Sequence, residues 1–443
     1  MQLSNLQRSP KRPLFIVSIL CVLSIVSWGV VAQEPAESVP AETVPAEPVP
    51  AETVPTGAVE PTAEDPSAAD PAEDAEPTRP VEIVKAQIVG PPGHRDVQRI
   101  RRLIPGAGRV DWSRQGNWIA FDRPGEDGRY DVFLHNIDSG SERCLNCDRY
   151  ELRQTNVLDP VWHPSGEYLV VQVQTSPRRL KFDPIRLATP NRGIHSDLYV
   201  IPRDGRDAWK ITRIAENGGA VVDPHFSYEG GHLVWSRRVA SVGARWGDWE
   251  FQIAEFRIRR GLPKLGKVVS HRPTDLPPGF VVASEFTPND RGLLIAAVPG
   301  SAPVSGRDVL RFDLDSDKLE RITSTADQWD DRLTQSPKGD RLVWVSDRGI
   351  PRRGELPYRG DLWFRDEPTG RQERLTFFND SDERRPKSDH SLGEALIDDI
   401  AWDPSGKRLA LHVVSPVEDT FDDDGPAVEQ ALYIVELGEA FQR

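Results

Sequence analysis

Cysteine is scarce in this 443-residue chain: there are three, and one of them, Cys21, lies in an apolar run near the start. With that run set aside, Cys144 and Cys147 have only each other for an intrachain bridge, and two thiolates cannot supply a four-cysteine zinc site. Their motif, RCLNCD, fails as a haem attachment sequence because Asp148 stands where His is required. Several signatures of catalysis are missing as well. No GxSxG elbow is followed by an ordered acid and histidine, and there is no Walker A loop, GxGxxG fingerprint or HExxH pair. Basic stripes are also lacking, and a formal charge of −14 excludes a broad nucleic-acid footprint. What remains for Cys144 and Cys147 is a local disulfide in an oxidising compartment or a pair of free thiols, with redox or metal chemistry as the lesser readings.

The charge is unevenly spread. Residues 34–80 hold twelve Asp or Glu and one Arg, together with eleven prolines in AETVP-like repeats. Such a segment has little to pack and resists collapse, so it reads as a disordered Pro/Ala/Glu-rich linker. Ahead of it, Arg8, Lys11 and Arg12 precede the apolar run at residues 13–32. This is the pattern of a signal peptide over residues 1–33, and the run is also just long enough to serve as a membrane anchor. Either way the remainder is expected outside the cytoplasm, in the periplasm or otherwise exported, with inner-membrane attachment if the run is retained.

Beyond the linker, one phrase recurs six times: VDWSRQG at 110–116, DPVWHPSG at 159–166, DPHFSYEG at 223–230, SEFTPND at 284–290, DRLTQSPKG at 331–339 and DIAWDPSG at 399–406. Its turn residues at 116, 166, 230, 290, 339 and 406 are each followed by an apolar, β-branched run such as YLVVQVQT or RLVWVSDR. A third strand-like segment follows in every unit, for example SDLYVIPR and GDLWFRDE. Units one to five add a fourth: ERCL, WKITRI, LGKVV, KLERITS and RQERLTF. Trp112, Trp162, Phe226, Phe286 and Trp402 sit four residues before the turn, with Gln335 in that place in unit five, and are positioned to pack between neighbouring sheets.

Four short strands per unit predict an all-β fold, a six-bladed β-propeller of four-stranded antiparallel blades over residues 81–443. The blades begin near 109, 159, 223, 283, 331 and 399. Unit six lacks a fourth segment. Residues 97–104, from DVQRIRRLIPG, are expected to supply it and so close the ring with an N-terminal strand.

WHPSGEYLVVQVQT followed by SDLYVIPRDG, and WDPSGKRLALHVV followed by LYIVEL, resemble the repeats of the TolB-like, WD40-like (PD40) propeller family over roughly residues 97–437. Members resembling the periplasmic translocation protein use the propeller to bind partner proteins. Others join related blades to hydrolase domains or act in extracellular sugar or peptide metabolism. The chain shows no α/β domain before the blades and no hydrolase domain after them. The resemblance thus implies an exported module that binds an envelope protein or polysaccharide without catalysis, with a carbohydrate- or peptide-processing enzyme as the alternative.

Two groups of residues are candidates for function. Asp159, Asp223 and Asp399 stand seven places before the turn, with Asp331 and Asp398 one place farther back. Inner strands of a propeller line its channel, so these carboxylates are expected near one mouth, where they could hold a divalent cation or a polar ligand, or simply accept hydrogen bonds from turn amides. His163, His195, His225 and His232 compete for a metal role but show no ligand spacing. The second group lies in long connections of units three and five: Arg237, Arg238, Arg245, Trp246 and Trp249, then Arg348, Arg352, Arg353 and Tyr358. Arg, Trp and Tyr are frequent interface anchors, which makes these loops the candidate partner-binding surface.

Overall fold

The computed structural model describes residues 88–89 and 94–441, apart from 153–154, 175–192, 218, 241–246, 299–305, 326, 352–358, 381–393, 423–424 and 439–440. Residues 1–80, expected to hold a leader and an acidic linker, lie outside the described residues. Six antiparallel sheets follow one another along the chain and form a six-bladed β-propeller. Their inner strands are Val110–Trp112, Asn156–Trp162, Val221–Phe226, Val281–Phe286, Asp330–Gln335 and Leu396–Trp402. Among the described residues no helix is long and apolar enough to cross a membrane.

The repeated phrase makes the first hairpin of each blade. Gly166, Gly230, Gly339 and Gly406 adopt φ between 68° and 76°, the left-handed region that glycine enters without steric cost, and Asp290 takes φ 57° in blade four. The bulky residue before each turn packs on the preceding blade. Trp162 joins Ala120, Val132 and Leu134 of blade one. Phe226 joins Val170 and Leu198 of blade two, and Trp112 joins Ala410 and Ile434 of blade six. Truncating one of these aromatics would open a cavity between sheets at a cost of about 3–5 kcal/mol.

A second repeated device locks strands three and four. The Asp197 carboxylate accepts from Thr212 Oγ1 (3.0 Å), while that Oγ1 accepts from Leu198 N (2.8 Å). Asp308 with Thr323 and Asp361 with Thr376 repeat the arrangement at 3.2 and 2.8 Å. In blade one Asn146 takes the threonine's place, donating to Asp131 (2.6 Å) and accepting from Val132 N (2.8 Å). Each pair is 15 residues apart. These contacts satisfy buried backbone groups that the short fourth strand leaves open.

Two blades depart from the common plan. In blade three the third strand is extended, Asp248–Arg259, and Arg260 and Gly261, both at positive φ, turn it tightly into Leu262–Leu265. A separate strand, Val269–His271, pairs with the earlier half of Asp248–Arg259. The single outer strand expected from LGKVV is therefore two strands, because the tight turn lets the longer strand be covered in two pieces. In blade six the strands Arg408–Asp422 and Gly425–Leu437 form a long hairpin, and Val97–Pro105 lies antiparallel to the second of them, with Ile100 opposite Val435.

Candidate functional site

Each inner strand from blade two to blade six carries a one-residue bulge, which takes in the residue seven places before the turn in blades two, three and five and lies one place from it in blades four and six. A bulge re-aims a side chain relative to its strand. Asp159, Asp223 and Arg332 sit there at φ 54°, 50° and 56°, a left-handed conformation costing about 1–2 kcal/mol each for a residue with a side chain. In full, the column reads Arg109, Asp159, Asp223, Ala283, Arg332 and Asp399. Two arginines thus share the channel with the aspartates.

These charges meet. Arg109 Nη1 donates to Asp223 Oδ1 (2.6 Å) and to Asp159 Oδ1 (3.3 Å), and Arg332 Nη1 donates to the same Asp223 Oδ1 (2.7 Å). Asp398 Oδ1 is 3.8 Å from Arg332 Nη2, its Oδ2 is 4.0 Å from Arg109 Nε, and His412 Nδ1 is 3.4 Å away. Arg307 pairs with Asp331. Blades one, two, three, five and six are therefore joined across the channel by buried ion pairs. Burial works against the charge on Asp223, but Arg332 and Arg109 hold its carboxyl well below the usual range. Asp398 is likewise desolvated, yet Arg109, His412 and Arg332 bring it down to about 2.

The aspartates also bond backbone. Asp159 Oδ2 accepts from Asp223 N (3.3 Å), Asp399 Oδ2 from Val110 N (3.0 Å) and Asp331 Oδ1 from Arg332 N (2.9 Å). Asp122, reaching in from the second strand of blade one, accepts from Arg109 N and Asp159 N. Gly108 permits that approach, since a Cβ there would lie 2.0 Å from Asp122 Oδ1.

On the first-hairpin side of this ion-pair layer the channel widens into a cavity of about 410 Å³. Its polar wall comes from the column five places before the turn, where Asp111, His225, Glu285 and Thr334 face inward. Asp111 Oδ2 accepts from Trp162 N (2.6 Å) and Oδ1 from Trp112 N (2.9 Å). Glu285 Oε2 accepts from Thr334 Oγ1 (2.7 Å) and Gln335 N (3.0 Å), and the Tyr228 hydroxyl bonds the same carboxyl. Arg114 stacks on the Tyr228 ring at 3.8 Å and donates to Tyr228 O (3.2 Å). Burial pushes Asp111 and Asp399 up to about 7 and raises Glu285, while it brings His225 down to about 4. Asp111, Glu285 and Asp399 each keep some surface on the cavity.

The metal reading finds little geometry. Among the described residues one group of three His, Cys, Asp or Glu places its ligand atoms within 4.8 Å of one another, namely Asp131, Cys144 and Cys147. Those two cysteines are bonded to each other (S–S 1.99 Å), so neither offers a thiolate. His163 packs edge-on against Phe226 (4.9 Å), away from the ion pairs.

Of the candidate interface residues, Arg245, Trp246, Arg352, Arg353 and Tyr358 lie outside the described residues. Trp249 is 1 % exposed and packs against Phe280 in the core, so it is a packing residue and presents no surface to a partner. Its placement follows from the strand's period of two, which puts Trp249 and Phe251 on the same buried face. Arg237 is half-buried beside Glu250 (3.5 Å), and burial lowers the pKa of Arg238. Arg348 lies over the Trp363 ring at 4.6 Å. Sequence reasoning missed Arg109, Arg332, Asp111, Glu285, Arg114 and Tyr228. Reading the two columns through all six units, and not through the aspartate-bearing ones alone, would have named the first four.

No protein-family model matches the sequence, and no curated protein is similar to it. Solved structures with a similar chain path include a putative TolB from Agrobacterium tumefaciens, 16% identical over 61% of this chain and 80% of that one, with a TM-score of 0.42. TolB from Acinetobacter baumannii is 15% identical over 75% of this chain and 65% of that one (TM-score 0.44). An oligogalacturonate lyase in complex with manganese is 13% identical over 81% and 97% (TM-score 0.46). Likeness this distant transfers no residue role and no ligand.

Proposed function

We propose that this propeller is an exported, non-enzymatic binding module that recognises an envelope protein or polysaccharide in the periplasm or an equivalent compartment, with the basic, apolar start as its export signal or membrane attachment. The observation that carries this reading is the internal pairing of the channel aspartates. Asp159, Asp223, Asp331 and Asp398 are shared among Arg109, Arg307 and Arg332, which spends their charge on holding blades together and leaves the adjoining cavity as the concave surface. A polar cavity of about 410 Å³ within a rigid ring suits recognition of a chain segment or sugar unit.

The competing reading is a carbohydrate- or peptide-processing enzyme with a divalent cation at the same acidic layer. Purified full-length protein offered peptides and envelope glycans, with and without divalent ions, separates the two. Saturable binding without turnover, weakened by Arg114→Glu at the cavity, supports the module. Turnover that disappears in Asp159→Asn, Asp223→Asn or Asp399→Asn variants would overturn it.

A further inference from the structure

The device that locks strands three and four is built differently in blade one. Blades two, four and five hold this place with a threonine and no cysteine. Blade one places Asn146 there, inside a Cys144–Cys147 bridge with a sequence separation of 3. The loop does not rely on that bridge. Asn146 is 2% exposed, accepts from Val132 N (2.8 Å) and donates to Asp131 Oδ1 (2.6 Å). Leu145 N donates to Val132 O (2.8 Å) and Arg149 N to Asn146 O (2.9 Å). A bridge across so short a loop also removes little entropy from the unfolded chain. The disulfide is thus surplus to the packing around it.

Its surroundings suit exchange. Cys147 is exposed, while Cys144 is half-buried at the end of the strand Glu142–Cys144. Exposed bridges are the ones that thiols reach, and labile and catalytic disulfides are drawn from them. Cys147 N donates to Cys144 Sγ at 3.0 Å. An N–H aimed at a sulfur stabilises the thiolate left when the bond opens, and a more stable leaving thiolate departs faster. An Asp131 carboxyl oxygen lies within 4.8 Å of both sulfurs, a reach that a proton covers directly or through one water. Burial pushes that carboxyl up, against the opposing hydrogen bond from Asn146, so it holds a proton more readily than an exposed one.

We propose that Cys144–Cys147 is a thiol–disulfide exchange site that takes an electron pair from a dithiol of a partner protein, with Cys147 as the attacked sulfur, Cys144 as the leaving sulfur and Asp131 as its proton donor. The donor's first thiol loses its proton to solvent and attacks Cys147 Sγ as a thiolate. A mixed disulfide forms, and the Cys144–Cys147 bond breaks with its electron pair left on Cys144 Sγ. That thiolate accepts from Cys147 N–H and then takes the Asp131 proton. The donor's second thiolate attacks its own first sulfur and displaces Cys147 Sγ, which is protonated in turn. The donor leaves as a disulfide, oxidised by two electrons. Cys144 and Cys147 are left as thiols, and Asp131 is reprotonated from solvent.

The test uses the oxidised full-length chain carrying Cys21→Ser, which leaves the pair as its sole cysteines. A capped Cys-Gly-Gly-Cys peptide and reduced glutathione serve as donors, and acid quenching, alkylation and mass spectrometry follow the thiols. The chain should oxidise the peptide about tenfold or more faster than an equal concentration of oxidised glutathione does. Once reduced, it should still melt cooperatively, within about 3 °C of the oxidised form. Asp131→Asn keeps an oxygen for Asn146 Nδ2 and removes the proton, so exchange should slow about tenfold with the melt unaltered. Treated with oxidised glutathione, Cys144→Ser should load Cys147 as a stable mixed disulfide about tenfold faster than Cys147→Ser loads Cys144. Peptide oxidation no faster than by oxidised glutathione, or a cooperative melt lost on reduction, would mark the bridge as a staple and overturn the proposal. Preferential loading of Cys144 or an unchanged rate in Asp131→Asn would overturn the assigned roles, and faster reduction by glutathione than by the peptide would overturn the protein dithiol as donor.

Discussion

Replacing Arg109 by Met tests how the middle of the channel is held. The side chain is 3% exposed and lies within 4 Å of carboxylates from three other blades, Asp159, Asp223 and Asp398. Met preserves most of the volume and removes the cation, leaving those carboxylates buried with Arg332 as their principal remaining partner. Removing one member of a buried ion pair costs about 3–5 kcal/mol, chiefly because the other stays desolvated without compensation. For an unfolding unit of roughly 350 residues, with an unfolding entropy of about 2.1 cal/mol/K per residue, that corresponds to a melting point lower by about 4–7 °C. Calorimetry and urea melts at pH 7 measure it. Asp159→Asn on its own should cost less, because the amide oxygen still accepts from Arg109. In the Arg109→Met background the same change should restore part of the loss, since it removes one of the stranded charges. An unaltered melting point in Arg109→Met, or strictly additive losses in the double variant, would refute the account of the layer as a coupled ion-pair network.

Three further outcomes follow from the geometry. Asp399 is held up to about 7, so between its ordinary value near 4 and 7 the folded state keeps a proton that the unfolded chain releases, and its contribution erodes stability as pH rises through that window. Asp399→Asn should therefore flatten the stability profile from pH 4 to 7, whatever constant offset follows from the lost backbone bond, and an unchanged slope would contradict the assignment. Thr376→Val removes the donor to Asp361 and leaves Leu362 N without its acceptor in the interior, so a loss of about 2–4 kcal/mol is expected in a urea melt, against under 1 kcal/mol if the clamp is incidental. Deleting residues 97–104 should lower the melting point of the whole propeller by removing the strand of blade six that lies between Gly425–Leu437 and Ile88–Val89, and a soluble truncation starting at Arg109 with unaltered melting would refute that.

The blades were legible because their signals are local. Turn chemistry, strand periodicity and, in five of the six units, the Trp or Phe before the turn act within a few residues. The Asp–Thr clamp was equally available at its constant spacing of 15, in SDLYVIPR through WKITRI and in GDLWFRDE through RQERLTF, but it emerges only when the fourth segments are aligned on threonine. The channel was half legible. Its aspartates stood out as a column, whereas the arginines that neutralise them occupy the same column in units one and five, and Arg109 meets Asp223 across 114 residues of chain. No local pattern says that side chains from the inner ends of two blades that are not neighbours will meet in the channel. Trp249 was misread for the opposite reason: its neighbours in the connection suggested an exposed anchor, while its place in an alternating strand put it inside.

Gln430 Nε2 donates to Gly106 O (3.0 Å) across 324 residues, within the sheet that joins Val97–Pro105 to Gly425–Leu437. A chain emerging amino end first produces one of these strands at the beginning of the fold and its partner at the end. The edge groups of Val97–Pro105 must wait while five sheets are made, and they are a template for wrong pairing throughout that interval. Birth order thus makes the last blade a quality gate. A product cut short anywhere before residue 437 keeps one raw edge at each end, however well its interior blades have formed, and is marked for aggregation or proteolysis by the same backbone groups that would have finished it.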